Sequence, residues 1–198
     1  MRALALSLSL LVLASCDSHL EAKVGGATLP QALGVVPAAK APVVVVLPGQ
    51  APAALPAGPV RLAIDLHTPW AQVRPLLDGA AATGSQPILL VGQRDALHGF
   101  VLDDPRGHDP ELQVSASAQG KFCLWPPDAP DEYCVESSDH RHISAAFVRE
   151  AVEKAVKEYG LTHVRVHPTD DVAWGDLVRA VDGTRTCCKE PVQVTVTR

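Results

Sequence analysis

The sequence predicts an α+β protein built from two small modules, in each of which strands are packed by helices. Two observations carry this prediction. The stretch 164–198 repeats the pattern of the stretch 60–94, and each copy reads as strand, helix and strand. In front of the second copy stand an alternating hairpin and a long amphipathic helix, so the second half reads β-β-α-β-α-β. The chain has 198 residues, which is enough for two small domains.

The repeat is a gap-free match over 35 positions with seven identities. The identical pairs are Val60 and Val164, Arg61 and Arg165, Trp70 and Trp174, Asp78 and Asp182, Gly79 and Gly183, Pro87 and Pro191, and Arg94 and Arg198. The matched tryptophans weigh most, because the chain has only three. The alternative is that two ordinary strand–helix–strand units look alike because they share a hydrophobic pattern.

Both copies follow one plan, in which a polar turn joins a short apolar strand to a helix of about three turns. Thr68 is expected to cap the first helix and Gly84 to end it, while Pro75 should kink it. Asp170 or Asp171 is expected to cap the second helix. The buried faces of the two helices are predicted to contain Trp70, Val73 and Leu77 in the first copy and Trp174, Leu177 and Val181 in the second.

The N-terminus has the features of an export signal. One arginine precedes an apolar run that is too short to span a bilayer, and small residues follow. The segment LASC at 13–16 matches the lipobox of bacterial lipoproteins, which implies a signal peptide at 1–15 and lipidation of Cys16. A plain secretory signal that is cut elsewhere is the alternative. Asp17 follows the lipidated position and slightly favours the inner membrane, as it does in enterobacterial lipoproteins.

Composition divides the rest of the chain. Residues 16–41 are small and mixed and are predicted to form a tether, 42–104 a first module and 105–198 a second. The stretch between the modules is rich in glycine, proline and aspartate, as boundaries are. The predicted strands are 43–47, 60–66, 88–91, 112–118, 121–125, 164–167 and 192–196, and the long helix spans 140–159, with Ser138 or Asp139 as its cap and Gly160 as its end.

The second half resembles a known family. The residues that carry the resemblance are the helix at 147–159, the strand Val164-Arg165-Val166, the phrase DDVAWGDLV at 170–178, and Val181-Asp182. Together with the order of elements, they resemble the periplasmic domain of the ExbD/TolR family of biopolymer transport proteins. The resemblance covers 111–198, and the first copy, at 42–94, matches only in part because it lacks a clear first helix.

The resemblance implies a function as well as a fold. In the family, such periplasmic modules dimerise, contact energiser partners in a transmembrane transport complex and, in some members, bind peptidoglycan. Family members normally begin with a transmembrane helix whose aspartate takes part in proton-driven motion. Here a lipoprotein signal without an acidic residue in its apolar run stands in that place. The resemblance therefore extends to the periplasmic module, duplicated and lipid-anchored, and not to proton coupling.

Four cysteines remain once Cys16 is set aside, and an even number in an exported chain favours disulfides. A bridge between Cys123 and Cys134 would close the Pro/Asp loop that separates them, and would contribute roughly 2–3 kcal/mol. The adjacent Cys187 and Cys188 allow three states, a vicinal disulfide, pairing with other partners or free thiols. A thiol redox or metal-binding role for this pair is the alternative function.

Other candidate chemistry is weaker. His140 and His142 are expected to be solvent-exposed, and His163 and His167 would lie about 13 Å apart on one strand face, too far to share an ion. Asp78 and Asp182 are expected to be solvated or to cap a neighbour rather than to be catalytic. The net charge of −5 argues against nucleic acid as a partner.

These observations combine into one expectation. The sequence carries no lipase-type, phosphate-loop or metalloprotease motif, so no enzymatic activity, cofactor or metal is expected. We expect a lipoprotein that faces the periplasm and acts by contact with envelope transport proteins or peptidoglycan. A homodimer is a further option that the family resemblance suggests.

Overall fold

A computed structural model describes residues 21–51, 53–94, 96–103, 111–127, 131–136 and 141–198. The predicted signal peptide and Cys16 lie outside these residues. The fold class is α+β, as predicted. In chain order the elements are β1 (Lys23–Val24), β2 (Ala27–Thr28), β3 (Val43–Val46), β4 (Gly58–Ile64), α1 (Trp70–Thr83), β5 (Ser85–Gln93), β6 (Ala96–Phe100), β7 (Leu112–Ser117), β8 (Lys121–Trp125), β9 (Tyr133–Glu136), α2 (Ala145–Tyr159), β10 (His163–Pro168), α3 (Trp174–Arg185) and β11 (Gln193–Val196).

Each predicted module contains one main sheet. The sheet of the first module has the order β3-β4-β5-β6, and the sheet of the second has the order β11-β10-β7-β8-β9. In both, the first strand of the repeat is central and parallel to its two neighbours, since β4 lies between β3 and β5, and β10 lies between β7 and β11. The remaining pairs of strands are antiparallel. The two modules therefore share a parallel three-stranded unit with one crossover helix.

The main hydrophobic core lies between the sheets and the helices and contains residues of both modules. The six predicted helix positions are all buried, with Trp70, Val73, Trp174, Leu177 and Val181 fully inaccessible and Leu77 3% exposed. Their burial follows from the helical spacing of the apolar residues, which puts them on the side that faces the sheet. No helix in the described part of the chain is long and apolar enough to cross a membrane.

The segment predicted as a tether is folded from Glu21 onward. The hairpin β1–β2 and the residues after it cover the outer face of the first sheet, where Leu29 is 2% exposed and packs with Ala63 and Leu90. The chain then pairs with Gly99 of β6 through Val36. The prediction was wrong here because small residues, which look like a linker, are also what fits closely against a sheet.

Two strands differ from the predicted order. β6 lies in the stretch predicted as the boundary, and β9 follows the predicted loop, so that the second half reads β-β-β-α-β-α-β. Both strands are short, and their hydrophobic pattern is too weak to identify them without the neighbouring strand. β6 is held by its antiparallel ladder with β5, and β9 by its ladder with β8. Nonlocal pairing of this kind is not encoded in a local window of sequence.

The gap-free repeat holds through the helix and fails in the last strand. Leu62 pairs with Leu89 in the first module, whereas the equivalent Val166 pairs with Val196, three residues beyond the position that the match predicts. The reason is a longer connection in the second module. Only Gly84 separates α1 from β5, but residues 186–192 separate α3 from β11. The aligned prolines and C-terminal arginines are therefore not equivalent in the fold.

Helix α2 is shorter than predicted. It begins at Ala145, after Ser144, and ends at Gly160, which has a left-handed conformation and donates to the carbonyl of Val156. Ser144 makes no side-chain cap, and the predicted caps lie outside the described residues. Its buried residues are Val148, Val152 and Ala155, whereas the large apolar side chains of Phe147 and Tyr159 are exposed.

Candidate functional site

The two modules meet where α1 and α3 begin. The first backbone amides of each helix donate hydrogen bonds to carbonyl oxygens of the other module. Four backbone hydrogen bonds cross this junction, in two pairs that are related by the repeat offset of 104 residues. They run from the amides of Trp70, Trp174, Ala71 and Gly175 to the carbonyl oxygens of Val172, Thr68, Asp170 and Leu66, respectively, over 2.7–2.9 Å. Exchanging the modules leaves this set unchanged, so a local two-fold axis passes through the junction.

This arrangement explains why the predicted helix caps are wrong. The Thr68 hydroxyl is buried and makes no hydrogen bond in the described part of the structure. Helix α3 begins after Ala173 without a side-chain cap, so neither Asp170 nor Asp171 caps it through its carboxylate. The first amides of a helix need acceptors from outside the helix. Here the backbone carbonyls of the opposite module supply them, and a local capping residue is not required.

The interior of the junction is apolar. Trp70 and Trp174 are fully buried, and within the described residues their indole N–H groups have no hydrogen-bond partner. The approach of the backbones is close, because a methyl group added at Gly175 would lie 3.0 Å from the carbonyl oxygen of Leu66. Arg74 reaches across to Asp170 with an ion pair of 2.9 Å at the rim. Packing and backbone hydrogen bonds therefore hold the modules together.

Three buried aspartates each anchor a segment that approaches from far along the chain. Asp182 accepts hydrogen bonds from the amides of Leu33 (2.9 Å) and Gly34 (2.6 Å), so it holds the N-terminal segment against α3. Asp65 accepts from the amide of Thr28 at 2.8 Å and fixes the N-terminal hairpin. Buried carboxylates of this kind are stabilised by charge-assisted bonds to backbone amides.

The third aspartate, Asp176, fixes the start of α2. Its Oδ1 accepts from the amide of Ile143 at 3.0 Å and from Arg179 at 2.6 Å. The imidazole of His142 lies 3.6 Å from the same oxygen. Of the two roles expected for Asp78 and Asp182, solvated or capping a neighbour, Asp78 is exposed and Asp182 binds the amides of a neighbouring segment. Sequence reasoning missed Asp65 and Asp176, because no local pattern shows which distant amide a carboxylate will meet.

The structure joins Cys123 to Cys134 as a disulfide, in agreement with the predicted bridge. The two residues face each other directly in the ladder between β8 and β9. The carboxylate of Glu132 lies within 4.8 Å of both sulfur atoms, and these three form the only cluster of three or more potential metal ligands among the residues described. Because both sulfur atoms are consumed by the S–S bond, the cluster cannot bind a metal ion through thiolates in this state.

The second disulfide joins the adjacent residues Cys187 and Cys188. They follow the end of α3 at the position where the first copy has Thr83 and Gly84, and Gly84 has a φ of +66°. Cys187 is 6% exposed and belongs to the main core. Of the three states that the sequence allows, the structure contains the vicinal disulfide. It stands where the first module uses a left-handed glycine to turn the chain.

The outer face of the second sheet is polar. On it, Arg165 forms an ion pair of 2.7 Å with Glu111, and the Nδ1 atom of His167 lies 3.1 Å from the hydroxyl of Thr197. Nε2 of His167 is buried without a hydrogen-bond partner in the described residues. Burial, and then the positive charge of Arg165, lower the pKa of His167, against a smaller opposing effect of Glu111. His163 lies on the same face of β10, four residues from His167. At the rise of a β-strand the two residues are about 13 Å apart, so they cannot bind one metal ion together.

One apolar cavity of about 170 Å³ lies in the first module. Its floor contains Leu77, Leu89 and Phe100, which are nearly inaccessible to solvent. Arg198 lies at its lining, and Arg185 stacks over the ring of Phe100 at 5.1 Å from the ring centre. Arg185 is paired with Asp103 at 2.9 Å, so its charge is already balanced. Among the described residues that line the cavity, only Arg198 has a polar side chain, whereas small-molecule sites combine several convergent polar groups.

Comparison of the chain with protein-family models, with curated proteins and with solved structures gives no match. The resemblance to the ExbD/TolR periplasmic domain therefore depends only on the sequence of the second half. The junction, with its symmetric hydrogen bonds, and the two disulfides are the features of this structure that bear on its function.

Proposed function

We propose that this chain is a non-enzymatic lipoprotein of the bacterial cell envelope, anchored through Cys16 and facing the periplasm. It acts by contact with proteins of an envelope transport complex of the ExbD/TolR type, or with peptidoglycan. The observation that carries the proposal is the junction, at which two related modules are joined about a local two-fold axis by reciprocal hydrogen bonds. In the family that the sequence resembles, separate copies of such a module form dimers.

Duplication within one chain would replace that dimerisation. Two modules on one chain meet at a fixed effective concentration, so their association does not depend on the amount of protein in the membrane. The product is a single body with two different modules rather than two identical ones. Such a body is suited to contacting two different surfaces, and this difference between the modules favours a role as an adaptor.

The disulfides support an extracytoplasmic location. Both pairs of cysteines that remain after the predicted signal are bonded. Structural disulfides persist in oxidising compartments and are rare in the cytosol. A lipid-anchored protein on the periplasmic side would meet this condition.

The test is to isolate the full chain, with a C-terminal tag, from membranes in mild detergent and to identify the proteins that accompany it. Energiser-type membrane subunits are the expected partners. Sedimentation with purified peptidoglycan tests the other contact. Recovery of neither would refute the proposed contacts. The matched variant Cys16→Ala should leave the membrane fraction, and a variant that remained there would refute the lipid anchor separately.

A thiol redox role for Cys187 and Cys188 is the second candidate, and the bond between these adjacent cysteines favours it. A dithiol reductant would transfer two electrons and two protons to the pair and would itself become a disulfide. Titration in glutathione redox buffers distinguishes the two functions. A reversible pair within the periplasmic range supports the redox role, whereas a disulfide that stays closed supports a structural one. The double variant Cys187→Ala/Cys188→Ala serves as the control.

A further inference from the structure

The outer edge of β3 has unpaired backbone groups. The carbonyl oxygens of Pro42 and Val46 accept hydrogen bonds from β4, from the amides of Arg61 (2.8 Å) and Asp65 (2.9 Å). In a strand, alternate residues direct their amide and carbonyl groups to opposite sides. The groups of Val43 and Val45 therefore point away from β4. No described residue forms a backbone or side-chain hydrogen bond with these four groups.

The second module shows what covers the equivalent edge. Val44 pairs with Leu62, as Val114 of β7 pairs with Val166, so β3 and β7 occupy the same place in their modules. In β7, the residues that point outward are paired with the antiparallel strand β8. The first module has no such strand among the residues described. Its sheet ends at β3, where the second continues.

The chemistry of β3 favours pairing. The strand consists of four valines, and Val43 is 38% exposed. β-branched residues favour strands, and proteins usually protect an exposed edge with charges. β3 contains no charge, whereas β9, which ends the other sheet, carries Glu136 and a disulfide. Compared with β9, β3 is therefore the better template for an added strand.

We propose that β3 pairs in antiparallel orientation with β3 of a second copy of this chain, about a two-fold axis at Val44. In that register Val43 lies opposite Val45 of the second copy, and each such pair exchanges two hydrogen bonds, so all the unpaired groups of both edges are satisfied. Val43 and Val45 lie symmetrically about Val44, so β3 satisfies these groups when it pairs with its own copy. The two four-stranded sheets become one continuous sheet of eight strands.

The side chains agree with this register. Val44 lies against its own counterpart on the inner face, and Val43 lies against Val45 on the outer face, so every cross-strand pair joins β-branched residues. Lys40 would lie beside Pro48 of the second copy and not beside another lysine. The surface is distinct from the internal junction between the modules, and the inference does not depend on the proposed transport or peptidoglycan contact.

Disulfide trapping in the full chain tests the register. At the axis, the Cα atoms of two Val44→Cys chains would lie about 4.5 Å apart, within the range that a disulfide spans. Two Val43→Cys chains would have Cα atoms about 8 Å apart, beyond that range. Mild oxidation of membranes, read on non-reducing gels, should therefore link V44C into a dimer and leave V43C as a monomer. The parent chain gives the background of the native cysteines.

A charge exchange tests the same pairing without cysteine. Val44→Lys and Val44→Glu should each weaken the dimer at least tenfold, because like charges meet at the axis, and a mixture of the two should associate again. Sedimentation of the purified full-length proteins measures both effects, and circular dichroism verifies that each variant is folded. If either charge did not fold, Val43→Pro removes one outward amide at an exposed position and should weaken the dimer alone.

Three outcomes would overturn the proposal. These are no V44C dimer, equal crosslinking of V44C and V43C, or a V44C link to a different protein. The last would mean that a partner's strand, not a second copy, occupies the edge. Each outcome leaves the proposed function unaffected, since that function is tested by the proteins and peptidoglycan that accompany the unmodified chain.

Discussion

The two modules contain the same parallel unit but connect its strands differently. In the first, a Pro/Ala-rich loop joins β3 to β4, and in the second the hairpin β8–β9 and helix α2 lie between the equivalent β7 and β10. In both modules, the side chain at one equivalent repeat position binds the segment that connects these two strands. Gln72 binds the loop through the amide of Gly49 and the carbonyls of Leu47 and Gln50, and its counterpart Asp176 binds the amide of Ile143 before α2.

A second pair of equivalent residues, Arg61 and Arg165, also serves the same purpose in both modules. Arg61 donates to the carbonyl oxygen of Ala41 at 2.8 Å, and Arg165 forms its ion pair with Glu111. In both modules the arginine on the central strand reaches a residue one or two positions before the neighbouring parallel strand. The position of the long side chain is thus retained while its partner changes from a backbone carbonyl to a carboxylate. The repeat preserves geometry, and the chemistry of each contact follows from its own surroundings.

The largest expected difference between the modules lies at the matched aspartates. Asp182→Ala should lower the free energy of unfolding by about 2–4 kcal/mol, because it leaves two amides of the N-terminal segment without their charged acceptor. Asp78→Ala, at an exposed position, should change it by less than about 0.5 kcal/mol. Urea unfolding of both variants measures the difference. Equal effects would show that the N-terminal segment is not held by Asp182.

The matched glycines should respond with opposite signs. A methyl group at Gly183 would lie 2.7 Å from the carbonyl oxygen of Ala145 and 2.9 Å from Cβ of Val148, because α2 packs closely there. Gly183→Ala should therefore destabilise the protein by about 1–3 kcal/mol. At Gly79, no described atom lies within 4 Å of the added methyl group, and Gly79→Ala should stabilise by up to about 1 kcal/mol through helix propensity.

Thermal melts of the two glycine variants decide the point. For a chain of this size, about 1 kcal/mol corresponds to roughly 2–4 °C in Tm. Similar shifts of the same sign at both positions would mean that α2 does not pack on α3 as described.

The loop of the first module should depend on Gln72. Gln72→Ala removes three hydrogen bonds near the surface and should cost about 1 kcal/mol, with faster proteolysis between β3 and β4. Gln72→Glu keeps the acceptor for the amide of Gly49 but loses both donated bonds, so it separates the two contributions. Limited proteolysis followed by mass spectrometry measures the opening. Cleavage at an unchanged rate in Q72A would show that the loop is held by other contacts.

The smallest expected effect concerns pH and the polar face of the second module. Because the pKa of His167 is lowered in the folded protein, the unfolded chain binds more protons, and stability falls as the pH drops below about 6.5. His167→Asn should reduce this loss between pH 7 and the lower pKa of the folded state. Melts across this range test it, with His163→Asn on the same face as the control. An unchanged pH dependence in H167N would contradict the role of burial.

Much of the fold could be predicted from local patterns. The repeat strands, the buried faces of α1 and α3, and the end of α2 at Gly160 follow from hydrophobic spacing and from a glycine in the left-handed conformation. The bridge between Cys123 and Cys134 followed from the count of cysteines and their separation. The short strands β6 and β9 and the folded N-terminal segment could not be predicted in this way, because their stability comes from partners that are distant in sequence.

The sequence by itself determined most of the helices and strands, the repeat pattern and the bridge between Cys123 and Cys134, since each depends on the order and spacing of residue types along the chain. Only the tertiary structure decided how the copies meet. Their helix starts are capped by carbonyl groups of the opposite module, and Asp182 is buried while Asp78 is exposed. The physical reason is that a backbone carbonyl or amide is the same in every residue. Its partner is chosen by where the packed helices and sheets place it, and no side-chain pattern records that choice.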